Sequence, residues 1–320
     1  MEKISLNDYR DYYNRASSIR HYYDVGVEVF QITRHRYKRI EGNISTACGK
    51  GMDLDIALVT ALGELIERDA VEYLDNDPTI YTMDGHKAGV IPKEFVQIPN
   101  KDRYWTSDGC AAHTRLEDAV LNGIFELVER SYIYTVPYSE YKYIERSKLV
   151  AHVGERTIDR IEALGDEIYP LVYKSKTNGL YISRIIIWDK IGSTQDSLVE
   201  GYGCNPDLGS ALRSAMLEAI QSKCVIISGG REDLQYKRHE LDKITIDREL
   251  FQLTLNPIEN YRNEDYLVNE IVQRIEEEFG SPMYYAYLGK SNDYHVIRAM
   301  IDGSIHKSLN GTLYRYQLHM

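Results

Sequence analysis

Apolar residues recur at helical spacing in three stretches of the chain, and each stretch sets acids among them. The stretches run from Ala57 through Glu64 and Glu67 to Arg68, from Ala119 through Glu126 and Glu129 to Arg130, and from Ala211 through Glu218 to Gln221. In each, an alanine is followed by six residues, a glutamate, and an acid or amide three positions on. Residues three apart share one face of a helix, so each stretch presents a pair of oxygen ligands. The pattern predicts a first helix from near Asp53 or Asp55 to about Leu74, stopped by Asn76-Asp-Pro78. A second opens on Thr114-Arg-Leu-Glu117, which reads as a capping box, and runs to about Tyr134. A third opens on Asn205-Pro-Asp207, with a capping side chain, a proline at the first helical position and an acid near the positive dipole end. Glycine-containing turns are expected ahead of all three, at Gly49-Lys-Gly51, Asp108-Gly109 and Gly201-Tyr-Gly203. Such junctions expose unpaired N–H groups and suit anions.

Between the second and third stretches the period changes to that of strands. Glu167–Lys174 and Leu180–Trp188 flank Asn178-Gly179, a hairpin signal. Val296–Ile301 reads as a further strand, and Glu264–Phe279 as an acidic amphipathic helix. Helices and strands interleave without regular βαβ spacing. The expected fold is α+β, a single large domain over 1–320 built of mixed β-sheets with helices and containing an internally repeated loop–helix unit. Its motif-bearing core covers about 40–235, with 236–320 part of the same unit.

Carboxylates set in apolar helices are costly unless a cation meets them. Leu62, Leu65 and Ile66 surround Glu64, and Ile124, Phe125, Leu127 and Val128 surround Glu126. A single such pair is usually a solvated Glu–Arg face; three copies with the same upstream alanine point to a shared cation site. An all-oxygen donor set without thiolate or imidazole favours magnesium or calcium, and magnesium is commonly held by a few carboxylates with substrate phosphates. The site therefore points to a nucleotide. Gly49-Lys50-Gly51 is not a Walker loop, since a glycine follows the lysine. Ahead of a helix with two candidate ligands, Lys50 becomes a phosphate contact, with Arg68 and Arg130 adding charge or orienting the glutamates. Arg231, in Ser228-Gly-Gly-Arg-Glu-Asp233, is a further phosphate candidate. Cys48 and His113 read as structural residues.

Composition narrows the setting. A formal net charge of −11 argues against a role on nucleic-acid backbones. Four scattered cysteines without a CxxC pair fit reduced thiols better than a zinc site or disulfide framework. Neither a signal-peptide core nor a membrane-spanning apolar run occurs, so a cytoplasmic protein with no membrane association is expected. The 27 tyrosines are compatible with a homodimer.

The three segments resemble the motifs of the YcaO family of ATP-dependent peptide-backbone-modifying enzymes. Cys48–Arg68 is similar to the family's GKG…A…SA…E…ER segment, Ser107–Arg130 to its SNGLAAG…EA…EL.ER segment, and Gly201–Lys223, followed by Ser228–Asp233, to its third. The match runs from about 40 to 235, with a weaker echo at Val296–Gly303. The resemblance implies ATP and Mg2+ as cofactors. Glu64, Glu126 and Glu218 would share one ion, and Glu67 and Glu129 would hold another. Lys50 and Gln221 would contact phosphate or ligands, with Gly49, Gly51, Arg68, Asp108, Arg130, Lys223 and Arg231 also on the nucleotide side. Departures are Asp108 for the second motif's asparagine, His113 for its closing glycine and Lys223 for the third motif's arginine. The chain ends in Thr312–Met320, where many azoline-forming members carry a PxPxP tail, and no catalytic base is identified.

The implied reaction is activation of a peptide amide in the maturation of a ribosomally made peptide. A nucleophile adds to the carbonyl carbon and ATP phosphorylates the oxyanion, which then leaves as phosphate. A side-chain nucleophile gives an azoline by cyclodehydration, the commonest outcome in the family; sulfide gives a thioamide and an amine an amidine. A nucleotide- or peptide-binding scaffold serving another catalyst is the alternative outside enzymes. Expected partners are the precursor peptide and a separate leader-binding E1-like or docking protein, or a TfuA-like protein.

Overall fold

The computed structural model describes residues 18–35, 44–72, 74–97, 107–189, 198–228, 268–291, 293–307 and 313–315. The chain divides into two compact units, one of residues 1–62, 138–173 and 181–263, the other of 63–137, 174–180 and 264–320. Each unit has its own sheets and its own buried apolar interior.

The first unit contains an antiparallel meander of β1 (Ser18–Asp24), β2 (Val27–His35) and β3 (Ile44–Gly51). Its second sheet has the order β10-β9-β8-β7, from Leu198–Asn205, Tyr181–Asp189, Asp166–Lys174 and Lys142–Tyr143. Helix α5 (Leu208–Ser228) and the short helices α3 (Arg146–Val153) and α4 (Glu155–Ala163) belong to the same unit. Val27, Val29, Ile158, Ile185, Ile187, Leu212 and Met216 lie in its core. The unbroken run Ile185-Ile-Ile187 is buried, as expected of a central strand covered on both faces.

The second unit is built on a five-stranded antiparallel sheet ordered β5-β4-β11-β12-β6, from Lys87–Val90, Thr79–Thr82, Met283–Ser291, Tyr294–Ile301 and Cys110–His113. Helices α2 (Leu116–Thr135) and α6 (Val268–Phe279) and the small pair β13 (Ile305–Lys307) and β14 (Leu313–Arg315) complete it. Helix α1 (Leu54–Glu72) has its N-terminal part in the first unit and its C-terminal part in the second. The hairpin strands, the strand at Val296–Ile301 and the acidic helix all form; Glu264 itself lies outside the described residues.

One construction appears three times. A strand, two linking residues and a helix follow one another as β3–α1, β6–α2 and β10–α5. Counted from the first helical residues Leu54, Leu116 and Leu208, the glutamates Glu64, Glu126 and Glu218 stand at the same distance in all three. So do the wholly buried Ala57, Ala119 and Ala211, whose N–H groups bond back to Asp53, Arg115 and Asp207. The duplication read from the sequence is thus repeated in the geometry.

The local chemistry of the helix starts differs from expectation. Asp53 and Asp207 cap α1 and α5, accepting the N–H of Ile56 and Ser210 at 2.8 Å. Asn205 instead closes β10 and accepts the N–H of Asp207 at 2.9 Å. The capping box at Thr114 is not formed: Arg115 holds the N-cap position and no side chain bonds the helix end. Gly49-Lys-Gly51 and Gly201-Tyr-Gly203 are strand, not turn. Their glycines have a packing cause. A Cβ at Gly49 would stand 1.9 Å from the Ala57 carbonyl oxygen, and one at Gly203 2.2 Å from that of Ala211. Backbone meets backbone there, so only glycine fits. The second module makes its close approach from the helix side: a Cβ at Gly123 would come within 2.7 Å of the Gly109 carbonyl oxygen. Asp108-Gly109 is a true turn, with Gly109 at φ +80° and the Cys110 N–H bonded to the Ser107 carbonyl at 2.8 Å.

Candidate functional site

In the second unit the helical repeat brings four glutamates to the neighbourhood of one turn. Glu64 and Glu67 occupy successive turns of α1, and Glu126 and Glu129 those of α2. Asp108 is buried in the Ser107–Cys110 turn. Glu67 accepts the Ala112 N–H of β6 at 2.8 Å. Arg68 reaches back one turn to Glu64, with Nε at 3.1 Å and Nη2 at 2.6 Å from the same oxygen. Arg130 lies 3.8 Å from Glu129.

Acids outnumber cations here, and titration reflects it. Burial pushes the Glu67 carboxyl up to about 8; the Ala112 N–H and Arg68 oppose the shift, while the Glu64 charge adds to it. Burial likewise holds Glu126 well above the carboxylate range, opposed by Arg130 and reinforced by Asp108, Glu67 and Glu129. The Cys110 thiol is raised to about 12, by burial first; Arg298 opposes the rise, and Glu126, Glu67 and Asp108 reinforce it. These couplings tie Asp108, Glu67 and Glu126 into one electrostatic neighbourhood. A cation among them would reverse the balance, since the ionised form would then be favoured.

The donor chemistry fits magnesium: oxygen only, short of positive charge, with Asp108 and Glu129 buried and Glu64, Glu67 and Glu126 half-buried. Among the described residues no three His, Cys, Asp or Glu side chains are arranged to close round an ion.

The first unit holds the other predicted residues. Lys50 extends from β3 with its Nζ 3.8 Å from the Glu218 carboxylate. Its backbone is pinned by Thr60, whose Oγ1 accepts the Lys50 N–H at 2.9 Å. Glu218 also accepts the Tyr202 N–H at 3.2 Å. Gln221 donates from Nε2 to the Cys48 carbonyl at 2.9 Å. This explains why the third module departs from a second glutamate. Its backbone partner is an acceptor, so an amide is required, whereas Glu67 meets an N–H and is a carboxylate. Lys223 forms an ion pair with buried Asp166. Arg231 lies outside the described residues.

Sequence reasoning missed Thr60, Asp166 and a polar knot at the hairpin tip. There Asn178 donates to the Tyr132 hydroxyl at 3.0 Å and to Glu278 at 2.5 Å, and Ser175 Oγ stands 2.9 Å from the same hydroxyl. The Asn178-Gly179 signal located the turn but not its side-chain partners.

Comparison with known proteins follows the same lines. A family model described as YcaO cyclodehydratase, ATP- and Mg2+-binding, matches residues 77–277, a span that begins after the first motif. A protein of Rhizobium leguminosarum bv. trifolii, described as uncharacterized and lying in the tfuA 3′ region, is 27% identical, with 66% of this chain and 62% of that protein covered. The chain thus spans less than two thirds of that relative. Among solved structures, YcaO from Methanopyrus kandleri, bound with AMPPCP and Mg2+, is similar with a TM-score of 0.74 at 19% identity, covering 93% of this chain and 88% of that one. A chain of the E. coli microcin synthetase McbBCD complex is similar with a TM-score of 0.69 at 16% identity, covering 93% and 91%. Both likenesses bear on the fold. Among the described residues no helix is long and apolar enough to cross a membrane.

Proposed function

Because the chain belongs to the YcaO family, whose members bind ATP and Mg2+ and modify peptide backbones, we propose that it activates a backbone amide of a ribosomally made peptide by phosphorylating the amide oxygen. One observation carries this reading: Glu64, Glu67, Glu126, Glu129 and Asp108 are gathered in one neighbourhood in which they outnumber the cations Arg68, Arg130 and Arg298, and desolvation raises the carboxyls of Glu67 and Glu126. A cation bound among them would favour their ionised forms.

Magnesium and ATP, when bound, supply charge neutralisation and the transferable phosphoryl group. The chain's own residues do the rest. By motif correspondence Glu64, Glu126 and Glu218 are assigned to one ion and Glu67 and Glu129 to a second. Arg68 holds Glu64 in a fixed rotamer through two hydrogen bonds to one oxygen. The Ala112 N–H does the same for Glu67. Thr60 braces the strand that extends Lys50 towards an anionic ligand, and Gln221 braces the same strand through Cys48. Such pre-orientation is what lets electrostatic stabilisation act without reorganisation during the transfer. Asp108, Arg130, Lys223 and Arg231 are assigned to the nucleotide side by the same correspondence, with Gly49 and Gly51 keeping Lys50 close to α1.

A thioamide is the second reading, and the likeness to a protein of a tfuA 3′ region favours it. It brings a TfuA-like partner with sulfide as the nucleophile, in place of an azoline made with an E1-like docking protein. Intact-mass measurement tests both. The protein is incubated with ATP, Mg2+ and small peptides encoded beside its gene, with and without sulfide and the neighbouring proteins. Loss of one water per site marks an azoline; exchange of oxygen for sulfur marks a thioamide. Unchanged peptide and no ADP under every condition would overturn the enzyme reading and leave a binding scaffold.

A further inference from the structure

The second unit carries a pair of histidines for which the proposed reaction has no use. His113 ends β6 and His295 lies on β12, and the two are direct partners in the antiparallel register. Residues so paired project from the same face, with Cβ atoms about 4.5–5.5 Å apart. In the three strand–helix modules, His113 takes the place filled by Gly51 and Asn205, each three residues before its helix. Nothing in the construction of the module therefore calls for an imidazole there.

Both rings are oriented through Nδ1. The His295 Nδ1 lies 3.1 Å from the Tyr287 hydroxyl. The His113 Nδ1 accepts the Arg115 N–H at 3.2 Å and stands 3.4 Å from an Asp118 carboxylate oxygen. On each ring Nε2 is the remaining ligand nitrogen. His113 is 39% exposed at its side chain and His295 is partly exposed, so solvent ions reach both. Lys290, the register partner of His295 on its other flank, is engaged by Asp293 at 3.2 Å.

We propose that His113 and His295 form a binding site for a borderline divalent transition metal of the Zn2+, Ni2+ or Cu2+ class. Imidazole nitrogen suits these ions, while magnesium prefers the oxygen donors elsewhere in the unit. An oxygen partner on the far ring nitrogen is the usual support of a metal-binding histidine, fixing both tautomer and ring plane; Tyr287 is so placed for His295, and Asp118, which Arg115 also approaches at 3.7 Å, stands nearest for His113. Coordination at Nε2 leaves the proton on Nδ1. For His295 that proton goes to the Tyr287 oxygen; for His113 it moves the contact from the Arg115 N–H to Asp118. The site supplies two protein nitrogens and leaves the other positions to water. Asp118 contributes negative charge beside the ion without being required as a ligand.

The test uses the full chain without a polyhistidine tag, in saturating Mg2+ so that carboxylate sites are occupied. Zn2+ binding is followed by calorimetry, and Cu2+ binding by electron paramagnetic resonance. One equivalent of Cu2+ with two nitrogen couplings is expected. H113A and H295A should each reduce the couplings to one and weaken Zn2+ binding about tenfold or more, and D118A should weaken it about tenfold through the tautomer. H86A, altering an exposed histidine on another strand connection, should change neither readout. H113N and H295Q serve in place of an alanine variant that fails to fold. Unchanged couplings and affinity in both histidine variants would overturn the proposal, placing any bound metal on other side chains.

Discussion

At Gln221 a single atom decides whether a backbone carbonyl is met or opposed. Its Nε2 donates to the Cys48 carbonyl. Gln221→Glu would set a carboxylate against that oxygen in a half-buried place, and a loss of about 1–3 kcal/mol of stability is expected, read as a lowered midpoint in urea unfolding. Gln221→Asn, too short to reach, should cost less, because it removes a bond without adding repulsion. Glu67 supplies a second prediction, on pH. Its ordinary value of 4.5 becomes about 8 in the folded protein, so the native state holds a proton that the unfolded chain releases. The stability associated with the neutral form is full below about 4.5 and is lost as pH rises towards 8. Without divalent cations, thermal midpoints should therefore fall across that window, and Glu67→Gln should flatten the decline; an unchanged slope in the variant would refute the assignment. Adding Mg2+ should reverse the trend, since ionised carboxylates bind it best. These acids were legible from the i, i+3 spacing inside apolar helices. The hydrogen-bond partners were not, because Ala112 N–H and the Cys48 carbonyl are backbone groups that any residue would carry.

Helices and strands were legible to the extent that one periodicity dominates. The three alanine–glutamate stretches and the Asn178-Gly179 hairpin have strong local signals, and each forms near its expected bounds. Misreadings came where a local motif competes with packing. Glycine pairs look like turns, yet Gly49 and Gly203 lie in strands because a helix backbone occupies the space of their side chains. The Thr114–Glu117 pattern suits a capping box, yet α2 starts at Leu116, in register with the other two modules. Packing predicts the response to substitution. Gly203→Ala would drive a methyl into the Ala211 carbonyl, which requires α5 to move away from β10. Overpacking of this kind costs about 1–3 kcal/mol or more. Gly85→Ala, at a positive-φ turn position with open space around it, isolates the cost of backbone strain alone. In paired chemical denaturation, Gly203→Ala should also depress nucleotide-dependent activity, because Glu218 accepts from the neighbouring Tyr202 N–H; Gly85→Ala should leave activity unaltered.

For the whole molecule, the proposed magnesium and nucleotide sites make stability a function of ligand. A chain with a formal charge of −11 and a cluster of partly and fully buried acids is one whose folded state gains from binding cations. Binding confined to the native state adds RT ln(1 + [L]/Kd), about 2.7 kcal/mol when ligand stands at a hundred times Kd. Mg2+ with a non-hydrolysable ATP analogue should raise the thermal midpoint clearly more than either does alone, as the phosphates complete a shell that the carboxylates begin. Glu126→Gln is the decisive variant, because it keeps shape and hydrogen-bonding capacity while removing the charge. It should leave the metal-free midpoint at or above that of the parent, since burial already disfavours ionisation of Glu126. It should also abolish most of the shift produced by the magnesium nucleotide. Were the ligand-induced shift to persist undiminished in Glu126→Gln, the buried acids would be structural, and nucleotide binding would have to be sought at other residues. Loss of the shift together with a lowered metal-free midpoint would instead mean that Glu126 stabilises the fold directly, which its burial among like charges argues against.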